Sequence, residues 1–560
     1  MSPPAPTRPR AGRGRALPWV VLVTAAASAC SLSQNGVDPP ADTFFYPSTG
    51  AMLPAPAAGG LAPTDPAFDW LYVGNSNADL RFNDGTLVMV NVGTRQDAGT
   101  MSGAAFDRTQ SWGQCPQEDY VNPLPRSDAP ICCRDLLDAN IINCDERRYI
   151  AADATVLIGS FAAGMAWQAY CDDPCLSSKA DCLAAPAAGR LLIGVRGDTS
   201  LTDVDVAPTG SVNGTAVHPG FHCTDDDEVA PALTECTRKQ TDTLSNLDAF
   251  AQSTSVPVLA LPDEPYALTV DGARGFLYIG HLAGTTSVQD TGGVSLFDAS
   301  GAGLYATGFP PVPAFIAPFP SPFAPNNAGQ FGITNLHLHE PLGVAPGSPT
   351  ELFVSSRYVP LVTSMVPFGP PLCGQDTDLK DDVVIPSGDS LSSGSTLGSE
   401  MRGVSFVEPT AAEAADPDLD FANRVYALER VPPELVGFDV ARNESGAVVA
   451  TPTDVTETCS SPTFLYETPD GQVTADNPRR LFVNCFDTGE VYVFDPNGPT
   501  LLTTLQVGRG PGGMVFDPVR PVAYVLNFTL SDVSVVDLAP GSPTQFHVVQ
   551  RLGFPSVTPR

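Results

Sequence analysis

Short apolar runs of strand length recur along this chain, and all follow one pattern. An apolar residue is followed by an aromatic or apolar residue, a β-branched or small residue, a small residue, and often a polar one. Runs of this length and composition are typical of buried strands. The seven copies are Leu71–Asn75, Leu191–Val195, Leu277–His281, Leu352–Ser356, Val425–Glu429, Leu481–Cys485 and Ala523–Asn527. The pattern therefore predicts seven repeats of one β unit.

A second strand that ends near an acidic or amide residue follows most of these runs, as in Glu490–Asp495. The fourth unit is the exception, because Leu361–Val366 fits poorly. The last unit contains four predicted strands: Gly513–Phe516, Ala523–Asn527, Val533–Leu538 and Phe546–Leu552. Four antiparallel strands per repeat describe the blade of a β-propeller. We therefore predict an all-β, seven-bladed β-propeller over residues 44–560, with Phe44–Leu53 as its first strand.

Two segments near the C-terminus resemble the YVTN-type β-propeller repeat, namely Arg480–Pro496 and Ala523–Leu538, and the earlier units match it more loosely. The interval between runs shrinks along the chain, and only the last interval approaches the ~40–50 residues of a propeller blade. The early units therefore carry insertions, at about residues 94–147 and 207–250, and both contain cysteines. A β-helix would repeat at a shorter, stricter period. Tandem immunoglobulin-like sandwiches would repeat at ~100 residues, so neither alternative fits.

The N-terminus predicts export. An arginine-rich region without acids precedes the short apolar stretch Ala16–Ala29, as in a signal peptide. The stretch ends in Ala27–Cys30 (ASAC), which resembles the bacterial lipobox. That resemblance implies a signal peptide over residues 1–29, a lipidated Cys30, a flexible tether over residues 30–43 and a membrane anchor in the outer membrane. Ordinary signal-peptidase cleavage without lipidation is the alternative.

The chain has 13 cysteines, and setting Cys30 aside leaves an even number. In an exported protein this favours disulfides. Cys223 and Cys236 would close one loop, and Cys459 and Cys485 would join neighbouring strands. Zinc is the alternative, but paired C-x-x-C knuckles are lacking. The sequence also lacks the C-x-x-C-H motif of covalent haem, and it identifies no other cofactor.

Charge and strand ends together suggest a binding face. The net charge of -33 at pH 7 repels phosphate backbones, so we do not expect nucleic acid as a partner. In propellers, the loops that follow the second strand of each blade share one face around the channel. These positions hold arginine, histidine, amide and one glutamate side chain, at Asn75, Arg196, His281, Arg357, Glu429, Arg430 and Asn527. Because arginine pairs bidentately with carboxylate or phosphate, we predict an anionic or polar ligand there. The alternative is that these residues satisfy loop carbonyls and strand ends.

A histidine pair forms the second candidate site. His337 and His339 follow the predicted inner strand Gly332–Leu336, and strand alternation places both on one face. Two histidines so placed can chelate a metal, with Glu340 or His281 as a third ligand. Packed or hydrogen-bonded histidines are the alternative.

No complete catalytic set is present in the sequence. The G-x-G-x-x-G match at Gly508–Gly513 opens no predicted helix, and neither a nucleophile elbow nor a Walker loop occurs. We therefore expect a non-catalytic binding or scaffold protein of the cell envelope, with a small molecule or a protein as its ligand. The alternative is a propeller enzyme, such as a lactone hydrolase or a quinoprotein-like oxidoreductase, acting at the channel mouth with His281 as its base.

Overall fold

The computed structural model of the chain consists mainly of short antiparallel strands. The residues that it describes are 37–54, 61, 65–93, 112–115, 132–172, 187–197, 200–207, 211–212, 215–216, 218–223, 230–236, 264–272, 274–282, 293–298, 312–318, 332–339, 351–357, 361–365, 390–392, 400–409, 423–442, 448–474 and 476–553. Within these ranges the strands form seven sheets of four or more strands and one two-stranded ribbon. The predicted all-β fold is therefore confirmed.

Strands are numbered in chain order, and each of the seven sheets is given from its first strand outward. Sheet 1 comprises β1 (Pro47–Ala51), β2 (Trp70–Asn75), β3 (Gly85–Asn91) and β6 (Val156–Ile158). Sheet 2 comprises β7 (Ala162–Ala169), β8 (Gly189–Val195), β9 (Ser200–Ala207) and β12 (Gly220–His222). Sheet 3 comprises β13 (Pro265–Asp271), β14 (Phe276–His281), β15 (Gly293–Asp298) and β16 (Val312–Pro318). Sheet 4 comprises β17 (Ile333–His339), β18 (Glu351–Ser356), β19 (Leu361–Met365) and β20 (Ser390–Ser392). Sheet 5 comprises β21 (Met401–Val407), β22 (Arg424–Glu429), β23 (Glu434–Arg442) and β24 (Val448–Glu457).

Sheets 6 and 7 complete the set. Sheet 6 comprises β25 (Pro462–Glu467), β26 (Leu481–Cys485), β27 (Glu490–Asp495) and β28 (Thr500–Gln506). Sheet 7 comprises β29 (Pro511–Phe516), β30 (Val522–Asn527), β31 (Asp532–Asp537) and β32 (His547–Leu552), and β5 (Ile142–Cys144) and β4 (Cys132–Arg134) extend it beyond β32. The ribbon consists of β10 (Ser211–Val212) and β11 (Thr215–Ala216). The described 3₁₀ turns are Pro66–Asp69, Glu146–Arg148, Ala152–Ala154, Tyr170–Asp172 and Asp470–Gln472.

The seven apolar runs found in the sequence are the second strands of the seven sheets. Every residue is buried in second strands such as β2, β14 and β30. A strand that is paired on both edges and covered on both faces has no solvent-facing side, so it lacks the usual alternation of apolar and polar residues. This is why these strands are the clearest signal in the sequence.

Several strands differ from the sequence-based expectation. The segment Leu361–Val366 fitted the repeat poorly, yet β19 is the third strand of sheet 4. The predicted insertion at 207–250 contains β12, the fourth strand of sheet 2, and the insertion at 94–147 contains β4 and β5. β5 pairs in parallel with β32 and covers the outer edge of sheet 7, which would otherwise present unpaired backbone groups. Strands of three residues carry too short a pattern to be recognised in the sequence.

The first strands of the sheets contact one another in series. The contacts run from β1 through β7, β13, β17, β21 and β25 to β29, and β29 contacts β1 again. Arg520, in the turn between β29 and β30, crosses this last junction. Its guanidinium donates to Asp69 Oδ1 at 3.0 Å, to the Phe68 carbonyl at 2.7 Å and to Asp517 Oδ2 at 2.6 Å. The two ends of the β region are therefore joined by strand contacts and by one multiply bonded arginine.

Four disulfides are described, and they include both predicted pairings. The bonds are Cys115–Cys133, Cys132–Cys144, Cys223–Cys236 and Cys459–Cys485. Disulfides are typical of proteins in oxidising compartments. No helix in the described ranges is long and apolar enough to cross a membrane.

The described part of the predicted tether contacts the sheets. The Val37 carbonyl accepts a hydrogen bond from the Asn83 amide at 3.2 Å, and the Ala41 carbonyl accepts one from Thr155 Oγ1 at 2.6 Å. Pro39 is buried. Residues 37–43 therefore pack against the folded region. The rest of the tether, the predicted signal peptide and Cys30 lie outside the described residues.

Candidate functional site

Each of the seven first strands carries the same irregularity near its start. The register with the second strand shifts after the first residue of the strand, which leaves one residue without a partner across the pair. A β-bulge of this kind re-aims a side chain. The seven bulge residues are Ser48, Ala163, Tyr266, Thr334, Arg402, Thr463 and Gly512.

A repeated backbone hydrogen bond fixes a second position next to each bulge. The residue that follows each second strand donates its amide to the carbonyl of the residue that precedes the first strand. These residues are Ser76, Arg196, Leu282, Arg357, Arg430, Phe486 and Phe528. Each sheet therefore presents two side-chain positions at the same end, and their identity differs from sheet to sheet.

All seven first strands line one cavity of about 340 Å³. Five bulge residues contribute to its lining, namely Ser48, Ala163, Tyr266, Thr334 and Gly512. Because the bulges lie at the start of the first strands, they mark one end of the cavity, which we call the bulge end. Glu467 and His337 also line the cavity but lie at or near the ends of their strands, so they mark the opposite, far end. The volume lies at the lower end of the ~300–1,000 Å³ that is usual for small-molecule sites.

Four arginines, which we call the arginine cluster, meet at the bulge end: Arg196, Arg357, Arg402 and Arg430. Three of them surround one carboxylate, Glu400, at 3.2 Å from Arg357, 3.5 Å from Arg402 and 3.7 Å from Arg430. Burial alone would raise the pKa of Glu400, but the three arginines outweigh burial and lower it. Glu400 is therefore ionised and neutralises one of its three positive neighbours.

Arg196 completes the cluster from the other side of Tyr266. Its guanidinium carbon lies 5.6 Å from the centre of the Tyr266 ring, and Nη2 lies 3.2 Å from Glu264 Oε2. Burial raises the pKa of the Tyr266 hydroxyl, while the positive charges of all four arginines act to lower it. The Tyr266 side chain thus lies within the field of the whole cluster. Among the described residues, the carboxylates paired with these four guanidinium groups are Glu264 and Glu400, so this described set carries more positive than negative charge.

Arg402 is the most buried member of the cluster, with 9% of its side chain exposed. Its Nε is buried and has no acceptor among the described residues, and the same holds for Nε of Arg196. Burial lowers the pKa of Arg402, and the positive charges of Arg357 and Arg430 add to the effect. A buried guanidinium donor without an acceptor costs free energy.

The two predicted asparagines have a structural role. Asn75 accepts from the Phe45 amide at 3.3 Å and donates to Thr86 Oγ1 at 2.9 Å, and it is fully buried. Asn527, also fully buried, donates to Asp532 at 2.6 Å and to Ser534 at 2.9 Å. Both amides tie a second strand to its neighbours.

His281 and Glu429 end their second strands in equally buried positions. His281 has no exposed surface, and Glu429 is 3% exposed opposite Glu434. Burial, reinforced by Glu434, raises the pKa of Glu429 to about 7. The structure therefore brings together Arg196, Arg357 and Arg430 from the predicted set and places the other members within the framework.

Arg402, Tyr266 and Glu400 are members of the site that the sequence did not reveal. Arg402 and Tyr266 are bulge residues, so their direction does not follow from strand alternation. Glu400 and Glu264 precede their first strands with φ of 88° and 53°. Positive φ is uncommon for residues other than glycine. A glutamate before each of two apolar strands is the only sign of this arrangement in the sequence.

The histidine pair lies towards the far end of the cavity. The rings of His337 and His339 are stacked with centroids 6.4 Å apart, and each faces its own carboxylate. His337 Nε2 lies 3.7 Å from Glu467 Oε1, and His339 Nε2 lies 3.1 Å from Glu408 Oε2. His339 is thus held by a hydrogen bond with Glu408, whereas His337 lies near Glu467 but beyond hydrogen-bonding distance.

The predicted metal ligands are not gathered into one group. His281 pairs with Pro265 at the start of β13, which is the bulge end, whereas His337 and His339 lie late in β17. The proposed third ligand His281 therefore lies at the wrong end of the strands, and Glu340 lies outside the described residues. No group of three or more His, Cys, Asp or Glu residues in the described ranges could hold a metal ion.

Glu467 is the chemically distinctive residue of the far end. Ser405 Oγ donates to Glu467 Oε2 at 2.9 Å, and Arg479 Nη1 lies 3.9 Å from the same oxygen. Burial raises the pKa of Glu467 to about 7, although Arg479 and Ser405 lower it. Burial lowers the pKa of His337 to about 3, so this imidazole is neutral near pH 7. Glu467 can therefore exchange a proton near neutral pH at the wall of the cavity.

Comparisons with known proteins give distant structural likenesses. No family model and no curated protein matches the sequence. Among solved structures, the chain is similar to hydrazine synthase from Kuenenia stuttgartiensis, with a TM-score of 0.38 and 9% identity, covering 91% of this chain and 99% of that one. It is also similar to a putative 6-phosphogluconolactonase from Bacteroides fragilis, with a TM-score of 0.35 and 13% identity, covering 63% and 80%.

A third likeness is to the dihydro-heme d1 dehydrogenase NirN, with a TM-score of 0.34 and 14% identity, covering 81% of this chain and 76% of that one. At these identities and TM-scores the likenesses carry no argument about function. The inferences about this chain rest on its own sheets and side chains.

Proposed function

We propose that this protein is an exported, lipid-anchored, seven-bladed β-propeller that binds an anionic ligand at the bulge end of its central cavity. It acts as a binding or scaffold module of the cell envelope and not as an enzyme. The observation that carries the proposal is the arginine cluster, in which four guanidinium groups share Glu264 and Glu400. In a chain of net charge -33, this excess of positive over negative charge among the described residues of the cluster supports a dedicated anion site.

The seven sheets support the propeller assignment. Their first strands contact one another in a closed series and line one cavity, and the bulge and its adjacent backbone hydrogen bond recur in all seven. These features fit seven blades around one channel. The resemblance of Arg480–Pro496 and Ala523–Leu538 to the YVTN-type repeat supports the same assignment. The lipobox-like Ala27–Cys30 and the disulfides support export and anchoring in the outer membrane.

The proposed ligand is held by paired, charge-assisted hydrogen bonds. Arginine presents its donors in a planar fork that fits carboxylate and phosphate oxygens. Hydrogen bonds to charged groups contribute about 1.5–3 kcal/mol each, more than neutral ones. Arg402 and Arg196 each have a buried Nε that lacks an acceptor among the described residues. The side chains of Arg196, Arg357 and Arg430 are 32%, 30% and 38% exposed, so an anion can approach them without breaking the bonds to Glu264 and Glu400.

Isothermal titration with citrate, succinate and inorganic phosphate tests the anion site. We expect binding that weakens about tenfold or more in Arg402→Gln, because one charge-assisted hydrogen bond is lost. The matched control is Arg480→Gln, which removes one positive charge from the start of β26, at the other end of the second strand. Equal affinity in wild type and Arg402→Gln, or an equal loss in the control, would rule out the arginine cluster as the binding site.

One observation favours an enzyme as a second candidate. Glu467 lines the cavity beside Ser405 and His337 and has a pKa of about 7, which suits a general base near neutral pH. It is better placed for that role than the fully buried His281. A panel of lactones assayed with wild type and Glu467→Gln tests this alternative. Turnover that is lost in the variant would replace the binding proposal with a hydrolase.

A further inference from the structure

Two aromatic rings from opposite sides of the cavity stack on each other beside the arginine cluster. Tyr266 belongs to sheet 3 and Phe464 to sheet 6, which are not neighbours in the series of sheets. Their rings are nearly parallel, with an interplanar angle of 12° and centroids 6.3 Å apart, and both residues line the cavity. Because the sheets are not adjacent, the two rings meet across the cavity and do not pack within one wall.

A third ring continues the aromatic surface away from the cluster. Tyr466 lies two residues after Phe464 on β25, so both side chains point to the same side of the strand. Their centroids are 6.2 Å apart, and Tyr466 also lines the cavity. Tyr266, Phe464 and Tyr466 therefore form an aromatic ladder along the cavity. Met165, Leu268 and Leu336 add apolar lining.

The aromatic ladder begins inside the arginine cluster. The guanidinium of Arg196 lies over the Tyr266 ring, and the charges of the other three arginines act on the Tyr266 hydroxyl. A ligand with its anion on the cluster would therefore place whatever is attached to that anion against Tyr266 and Phe464. The site therefore places a cationic group beside a flat aromatic surface.

We propose that the cavity binds small aromatic carboxylates, with the carboxylate on the arginine cluster and the ring against Tyr266 and Phe464. This inference rests on the proposed anion site and adds the chemical class of the ligand. Aromatic pairs gain from offset-stacked or edge-to-face contact beyond their buried area. A saturated ring of similar size fills the same space but lacks that gain, so the site discriminates by flatness and π-character as well as by charge.

Titration with two matched acids tests the inference. trans-Cinnamate and 3-cyclohexylpropionate carry the same charge and the same number of carbon atoms, but only cinnamate is aromatic. We expect wild type to bind cinnamate about five- to tenfold more tightly. Phe464→Leu should remove most of that preference, because cinnamate loses its contact with the Phe464 ring. Phe82→Leu is the control, since Phe82 packs against Phe45 and does not line the cavity. Circular dichroism and the thermal midpoint of each variant establish that it is folded.

The possible outcomes separate this inference from the proposed function. Equal affinities of wild type for the two acids, or a cinnamate preference that survives in Phe464→Leu, would overturn the aromatic ladder as a specificity determinant. If citrate and succinate still bind through Arg402 in that case, the anion site stands alone. If no anion binds to wild type, the proposed function fails as well.

Discussion

The carboxylate of Glu467 should make the stability of the protein depend on pH in a way that one substitution removes. Burial raises its pKa from an ordinary value of 4.5 to about 7. A group whose folded pKa is raised stabilises the fold when it is protonated. That stability is fully present below pH 4.5 and is lost as the pH rises to about 7. Glu467→Gln replaces the acid with a neutral side chain of similar shape and removes this contribution.

The magnitude follows from the size of the shift. At 1.36 kcal/mol per pH unit, a shift of this size corresponds to at most about 3 kcal/mol between pH 4.5 and 7. The side chain is 21% exposed, so solvent reduces this figure somewhat. As the pH rises from 4.5 to 7, the free energy of unfolding of Glu467→Gln should therefore increase by about 2–3 kcal/mol relative to that of wild type. Above pH 7 the difference should stay constant.

His337 acts in the opposite direction over an overlapping range. Burial lowers its pKa from 6.5 to about 3. Stability is therefore present above pH 6.5 and is lost as the pH falls towards 3. In wild type, the pH dependences of stability that arise from Glu467 and His337 partly cancel. In Glu467→Gln, the loss of stability at low pH that arises from His337 should be unopposed. Ser405, Arg479 and Asp470 also act on Glu467, and the variant leaves all three in place.

Urea denaturation under oxidising conditions, at pH 4.5, 5.5, 6.5 and 7.5, measures the difference. Glu457→Gln removes an exposed carboxylate on β24 and should run parallel to wild type. If Glu467→Gln also runs parallel to wild type within about 0.5 kcal/mol over the whole range, the reasoning from burial is refuted. If Glu467→Gln were more stable than wild type only at pH 4.5 and less stable at pH 7.5, the pH dependence would have the opposite sign, and the reasoning would be refuted equally.

Three further predictions concern closure, disulfides and export. Arg520→Met should lower the free energy of unfolding by about 3 kcal/mol, because Asp69 loses a partner at the junction of sheets 7 and 1. The effect would be measured as a lower urea midpoint, and a change below 1 kcal/mol would contradict a role in closure. Replacing Cys459 and Cys485 by alanine should lower the free energy of unfolding by about 3 kcal/mol in the same measurement, because the disulfide closes a loop with a sequence separation of 26 residues. A stability equal to that of wild type would argue against the disulfide. Mass spectrometry of the mature N-terminus should show a diacylglyceryl group on Cys30 that is absent in Cys30→Ser; an unmodified Cys30 or cleavage elsewhere would exclude the anchor.

The sequence predicts the second strands well because their burial is complete. Leu71–Asn75 and Ala523–Asn527 have no solvent face, so apolar residues fill every position that packing requires. Short strands such as β5 and β12 give no such signal, because the contact with a partner sheet stabilises them more than their own composition does. The outer edge of sheet 7 is completed by a segment far away in the sequence, which no local pattern can reveal.

The candidate site is predictable to the extent that it depends on topology. Arg196, Arg357 and Arg430 directly follow second strands, so knowing where those strands end places them on one face. Arg402 and Tyr266 depend on a bulge, which strand alternation does not reveal. Glu429 occupies a predicted position, yet it lies inside the framework because its side chain turns away from solvent. Position along the chain is thus predicted better than side-chain direction.

A crystal structure of wild-type protein grown with 4-iodobenzoate would show whether the cavity holds an aromatic carboxylate, because anomalous scattering from iodine locates the ring. The account predicts an iodine peak inside the cavity near Tyr266 and Phe464, with the carboxylate within hydrogen-bonding distance of Arg402 or Arg357. A cavity without an iodine peak, or a carboxylate bound away from the arginine cluster, would contradict it.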